Sequence, residues 1–186
     1  MAKLKSIADK EHVTDLARQL SSRIPVIANL PNTPYGWTGA VWTAFNELAQ
    51  AKKWTLYPGK QPYKGEYLLD FVLWEENYGP RVVCESQWQH RISGMPAIDW
   101  AFDKLRGVKG DIKVLIFECP MKGDATRPPD NVMRIVEPYL KELSLLSDGE
   151  AFLLLHFANK GKRAHWWKPT RQGNPNKIRF TPIPLD

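Results

Sequence analysis

Cysteine is scarce in this sequence: two residues, Cys84 and Cys119, among 186. Two thiols are too few for a disulfide scaffold or a cysteine-ligated zinc site, and they read as reduced, buried side chains of a cytoplasmic protein. Long apolar runs are missing as well. No uninterrupted stretch approaches the ~20 residues of a membrane-spanning helix, and the first residues lack the apolar stretch of a secretory signal, so no membrane partner is expected. What remains is ordinary for a soluble globular chain, with 43% apolar and 25% charged residues and a length suited to one domain.

Acidic residues are nearly absent from the last segment. From Ala151 to Asp186 there are seven Lys or Arg residues and one acid, Asp186, whereas residues 1–150 hold 19 of each sign. The net charge of +6 therefore belongs to the tail. A basic segment on a neutral body suits a polyanion partner, and equally suits a merely solvated cationic surface.

Hydrophobic spacing predicts a helix over about 6–20, a Pro/Asn/Gly-rich loop over 25–39 and a second helix over about 38–52 that buries Val41, Phe45, Leu48 and Ala49. A short strand is expected at 54–57. Two β-rich runs follow, Tyr67–Trp74 and Arg81–Gln87, with turn residues Glu75–Pro80 between them. A helix over 96–106 ends at Gly107. Strands are expected at 112–118 and 151–158, with a helix over 131–146 between them that Pro138 kinks or starts. A turn at 159–162 precedes a returning segment at 164–168, and the Pro-rich end reads as extended or loosely ordered. The alternation implies an α/β fold with a mixed central sheet and helices on both faces.

The hairpin carries the chemistry. Symmetric pairing about a six-residue turn joins Trp74 to Arg81, Val72 to Val83 and Asp70 to Glu85. Opposed residues share a face with Cβ atoms ~5 Å apart, where like charges repel. Asp70 sits among Leu68, Leu69, Phe71 and Val72, and Glu85 follows Val82, Val83 and Cys84. Acids in such strands cost several kcal/mol if buried and unpaired. A divalent cation, Mg²⁺ or Mn²⁺, resolves that conflict with oxygen ligands. Alternatively one acid faces solvent, or a one-residue slip separates the two. Gln87 lies two residues beyond Glu85 on the same face, either near an attacking water or simply as a polar strand end.

Asp70, a gap of 14 residues and then Glu85-Ser86-Gln87, set in this element order, resemble the core of the PD-(D/E)xK nucleases, the restriction-endonuclease-like superfamily. The resemblance covers roughly Thr38 to Ala158. It implies a nuclease-like domain over 1–186, with an N-terminal helix and loop (1–37), the core (38–158) and a basic C-terminal hairpin and tail (159–186). It further implies Mg²⁺-dependent hydrolysis of DNA, or less often RNA, with Asp70 and Glu85 as the metal-holding acids. Many members also use a glutamate from the first core helix. Glu47 is the candidate, flanking that helix's apolar arc, and a solvated surface acid is the other reading. The usual lysine position is occupied by Gln87, which carries no charge. Some members supply the lysine from elsewhere, and Lys104, at the edge of the next helix's buried stripe, is the candidate here; a snorkelling surface lysine is its alternative.

In the tail, Lys160, Lys162, Arg163, Trp166, Trp167, Lys168 and Arg171 interleave cations with aromatics, a pattern suited to phosphates and bases. Trp166 and Trp167 are also consistent with alternation across a strand. The expected function is a metal-dependent deoxyribonuclease, a homodimer being one possible form. The alternative is a catalytically inactive nuclease-like module that binds nucleic acid or a protein. A retaining glycosidase, whose acids lie ~5 Å apart, is a distant third.

Overall fold

The computed structural model describes residues 6–27, 34–59, 69–88, 94–118, 126–141, 149–158, 161–168 and 178–185. Helix α1 (Lys10–Ile27) starts four residues later than the periodicity predicts. Asp9 explains the shift: its Oδ1 accepts the His12 amide at 3.0 Å and its carbonyl takes the Val13 amide, so Asp9 is the N-cap. Ser6 instead turns its hydroxyl to the Gly149 carbonyl and the Ala8 amide. Helix α2 (Pro34–Lys52) begins before the predicted Thr38. It ends where Lys53 takes a left-handed φ of 58° and the Trp54 amide reaches back to Ala49.

Strands β1 (Thr55–Tyr57), β2 (Phe71–Glu75) and β3 (Gly79–Gln87) form an antiparallel meander. The turn between β2 and β3 is tighter than the predicted six residues. Asn77 (φ 66°) and Gly79 (φ 108°) occupy the left-handed region, so the chain reverses over 76–78. An irregularity between Leu73 and Trp74 then sets Trp74 opposite Pro80, not Arg81. Beyond it the expected register holds, with Val72 opposite Val83 and Phe71 opposite Cys84.

Helix α3 (Gly94–Gly107) leads to β4 (Ile112–Glu118), and α4 (Asp130–Lys141) leads to β5 (Ala151–Ala158). Pro138 lies inside α4 without ending it; both it and Arg134, whose carbonyl loses a partner, are exposed, where water serves. The predicted continuation to Leu146 lies outside the described residues. Strands β3, β4 and β5 run parallel. Strand β6 (Gly161–Trp167) returns antiparallel to β5.

The sheet is completed by β7 (Thr181–Ile183), in the segment expected to be loose. Ile183 is buried in the core, and Pro182, which lacks an amide hydrogen, is tolerated because β7 is an edge. The result is a seven-stranded mixed sheet, β1 through β7 in sequence order. Alternate residues of its strands build two cores. Leu73, Val82, Cys84, Ile116 and Leu155 pack with α1 and α2, whereas Val83, Leu115, Phe117 and Leu154 pack with α3 and α4. Helices on both faces bury the central strands, which is why β4 is apolar on both sides except at Lys113 and its last residue, Glu118. That ammonium, 1% exposed, is held 2.9 Å from the Glu150 carboxylate.

Candidate functional site

Strand alternation decides where Glu85 points. Val83 faces α3, Cys84 faces α2, and Glu85 faces α3 again. Asp70 immediately precedes β2, at the place where the hairpin register extends to Glu85. The two residues do meet. The Asp70 amide donates to Glu85 Oε1 at 3.1 Å, while Asp70 Oδ2 accepts the Ser86 amide at 2.7 Å and the Ser86 hydroxyl at 2.9 Å. Asp70 is thus fixed by the backbone of the strand that carries Glu85. Its second oxygen, Oδ1, makes no hydrogen bond among the described residues.

The third member comes from the helix. Lys104 of α3 places its Nζ 2.8 Å from Glu85 Oε2. The contact is an ion pair by distance without the alignment of a good hydrogen bond, which leaves Oε2 buried with no well-directed donor. The same ammonium lies 4.5 Å from the centre of the Trp100 ring, one helical turn earlier. Three residues far apart in sequence, Asp70, Glu85 and Lys104, therefore converge on one face of the sheet.

Electrostatically the group is under tension. Glu85 is 0% exposed. Its burial and the Asp70 charge push its carboxyl from 4.5 up to about 7, against the opposing pull of Lys104 and the Asp70 amide. Burial, helped by the same two carboxylates, also raises the Cys84 thiol well above its usual range, so this free, buried cysteine is no thiolate nucleophile.

The other predicted positions fall differently. Gln87 ends β3, half-buried, on the Glu85 face. Glu47 is not brought to the group. It sits on α2, against the opposite face of the sheet, and its Oε2 pairs with Arg23 Nε of α1 at 3.0 Å with both side chains substantially exposed. Four of the described tail residues contribute to the fold. Lys162 Nζ donates to the Ser21 carbonyl at 2.9 Å, and Lys168 Nζ donates to the Ala8 carbonyl. Trp166 packs on the α1/α2 core and Trp167 on the other, against Phe152 and Phe180, so they alternate across β6. Arg163 is half-buried in the same strand. Lys160 and Arg171 lie outside the described residues, as does Cys119.

Two contributors escape a reading of the sequence. Ser86 looks like an unremarkable residue between the motif positions, yet it anchors Asp70 through two hydrogen bonds. Trp100 stands four residues before Lys104, a spacing that does place the two on one helix face, but only the fold shows that this face meets Glu85.

Among the described residues no group of three or more His, Cys, Asp or Glu side chains is placed to hold a metal ion. A cation here would draw on Asp70 and Glu85 and take its remaining ligands from water or substrate, the habit of Mg²⁺. The donor set fits such an ion: two hard oxygens, one of them a buried carboxylate whose ionisation burial and the Asp70 charge oppose. Compared with known proteins, the chain matches no family model and no curated sequence. Among the described residues, no helix is long and apolar enough to cross a membrane.

Proposed function

We propose that this protein is a metal-dependent phosphodiester hydrolase acting on nucleic acid, DNA first, with Asp70, Glu85 and Lys104 as its working residues. The observation that carries the reading is Glu85: fully buried, opposed by Asp70 and approached by a single lysine from α3. A buried carboxylate whose ionisation is opposed in this way, beside a specific charge partner, marks a candidate functional site. The element order supports the same reading, since α2, the β1–β2–β3 meander, α3 and β4 follow one another as in the PD-(D/E)xK core that the motif resembles.

In this reading Asp70 and Glu85 hold Mg²⁺ or Mn²⁺. Held there, such an ion would supply Lewis acidity to a water and positive charge toward the phosphate. Ser86 keeps Asp70 in place through its amide and hydroxyl. Lys104 supplies the positive charge that Gln87 cannot. Its ammonium, on a flexible stem beside the Trp100 ring, is available to hydrogen-bond a water or a phosphate oxygen. Purified protein should nick or cut DNA with Mg²⁺ or Mn²⁺. Asp70→Asn and Glu85→Gln should abolish cutting with the circular dichroism spectrum unchanged, and Lys104→Ala should lower turnover without abolishing metal binding. Absence of cleavage of any DNA or RNA form with either metal overturns the proposal.

A second reading rests on one observation: Lys104 already stands beside Glu85 Oε2, where it offsets part of the carboxylate's charge without a metal. A nuclease-like module that binds nucleic acid or a protein without cutting has that arrangement as its resting state. Calorimetry separates the two readings. Should no divalent metal bind in the presence of substrate, and Asp70→Ala raise stability, the pair is a vestige.

A further inference from the structure

The large hydrophobic side chains exposed among the described residues are three aromatics: Trp100 at 60%, Tyr57 at 49% and Trp74 at 42%. All three lie around the carboxylate pair, on the α3 face of the sheet. Tyr57 and Trp74 flank an apolar groove of about 380 Å³ whose floor is Leu69, Val72 and Val83. Leu69 adjoins Asp70, and the paired Val72 and Val83 stand two residues along β2 and β3 from Asp70 and Glu85 on the same face. Of the described residues that line the groove, Lys109 alone is charged.

Helix α3 joins the groove to Trp100. Trp100 and Lys104 fall on one face of α3, one turn apart, and Val108 follows just past the helix end at Gly107. Val108 lines the groove, Lys104 meets Glu85, and Trp100 carries the Lys104 ammonium on its ring. The track therefore reads as an aromatic groove, a charged centre and a second aromatic platform.

Resting on the nuclease reading above, we infer that the substrate is a strand with unpaired bases. Its bases stack on Trp100 to one side of the Asp70/Glu85/Lys104 centre and on Trp74 and Tyr57 to the other. The chemistry decides against a duplex. Paired bases hide their faces in the helical stack and present phosphates outward, and of the described residues that line this apolar groove only Lys109 carries a charge to meet one. An unpaired base exposes an apolar π-face, which an exposed indole or phenol ring accepts whatever the sequence. Among the described residues, Lys104 at the centre and Lys109 in the groove are the cations on this track.

The test is equilibrium binding without turnover. Calcium replaces magnesium, and the probes are a fluorescent oligothymidylate and a blunt duplex of equal length. Oligothymidylate should quench the intrinsic tryptophan fluorescence and bind at least ~10-fold tighter than the duplex. Trp100→Ala and Trp74→Ala should each weaken it roughly 5- to 100-fold, the span that the loss of one stacked base gives. Trp100→Phe and Trp74→Phe, which keep a π-face, should stay within about 3-fold of the parent. Duplex binding as tight as oligothymidylate binding, or alanine variants that bind like the parent, overturns the inference. The two proposals fail separately. If tryptophan-dependent binding of oligothymidylate occurs without cutting in Mg²⁺ or Mn²⁺, the nuclease reading falls and this inference stands. If single strands and duplexes are cut alike, with no sensitivity to the tryptophans, this inference falls and the nuclease reading stands. Capture of a protein on the groove in place of any oligonucleotide also overturns it.

Discussion

Protons and metal should compete for Glu85. Folding raises its carboxyl from 4.5 to about 7, and each pKa unit is worth about 1.4 kcal/mol. The folded protein therefore spends about 3 kcal/mol keeping Glu85 ionised above neutrality. The sign follows from proton counting. Between pH 4.5 and about 7 the native state holds a proton on this group that the unfolded chain has released. Its stabilising contribution is therefore complete below 4.5 and lost as pH rises through about 7. Glutamine mimics the protonated carboxyl, and the attraction of Lys104 is already included in the shift. Glu85→Gln should thus raise stability by about 3 kcal/mol at about pH 8 and by almost nothing at about pH 4. In thermal scans that is a gain of roughly 6–12 °C at the higher pH for a chain of this size.

Metal binding should run the opposite way. A cation must displace the Glu85 proton, so Mn²⁺ affinity should fall about tenfold for each pH unit below about 7. Calorimetric titrations in two buffers of different ionisation enthalpy should also show proton release on binding near neutrality. Glu85→Gln should lose both the metal and the pH dependence. Mn²⁺ affinity that stays flat from about pH 5.5 to pH 8, together with a Glu85→Gln variant no more stable than the parent at the upper end, would refute the reasoning about this site.

Two further perturbations test the frame around the site. Arg81 is buried, with Nε 2.6 Å from Glu75 Oε2 and Nη1 2.7 Å from Asp111 Oδ2, and its guanidinium lies 3.6 Å from the centre of the Tyr78 ring. Arg81→Met should leave two carboxylates uncompensated and cost about 3 kcal/mol, lowering the melting temperature by roughly 6–12 °C. Burial already raises the Asp111 carboxyl, so the loss should deepen as pH increases, and urea denaturation across pH measures it. Lys162→Ala and Lys168→Ala should lower stability by about 1 kcal/mol each through the lost bonds to Ser21 and Ala8. Oligonucleotide affinity should change little, and a large loss of affinity would restore the tail as a nucleic-acid grip.

The sequence exposes the central conflict of this site more clearly than its resolution. Asp70 and Glu85 stand out because their neighbours are apolar and because strand alternation and turn symmetry put two like charges on one face. The tighter turn did not disturb them, since the irregularity at Leu73/Trp74 absorbs the change at the far end of the hairpin. Asn77 and Gly79, both of residue types that accept a left-handed φ, mark the turn but not its length. Lys104 was legible for a related reason: a lysine at the edge of a buried helical stripe must direct its charge somewhere. Glu47 met the same criterion on α2 and answers to Arg23 instead, because the element beside it is α1, and helix-to-helix neighbours are not written in a periodicity.

The tail shows the limit most plainly. Lys162 and Lys168 look available in the sequence because their acceptors are backbone carbonyls of residues 21 and 8, and a carbonyl leaves no trace in residue type. Nor does a three-residue strand with a proline, such as β7, carry a periodic signal. A misplaced charge can thus be read from the chain alone, whereas its partner depends on which surfaces the fold brings together. At Glu85 the partner from the fold, Lys104, stops short: a carboxyl that still rests near 7 beside a lysine has room for one more positive charge.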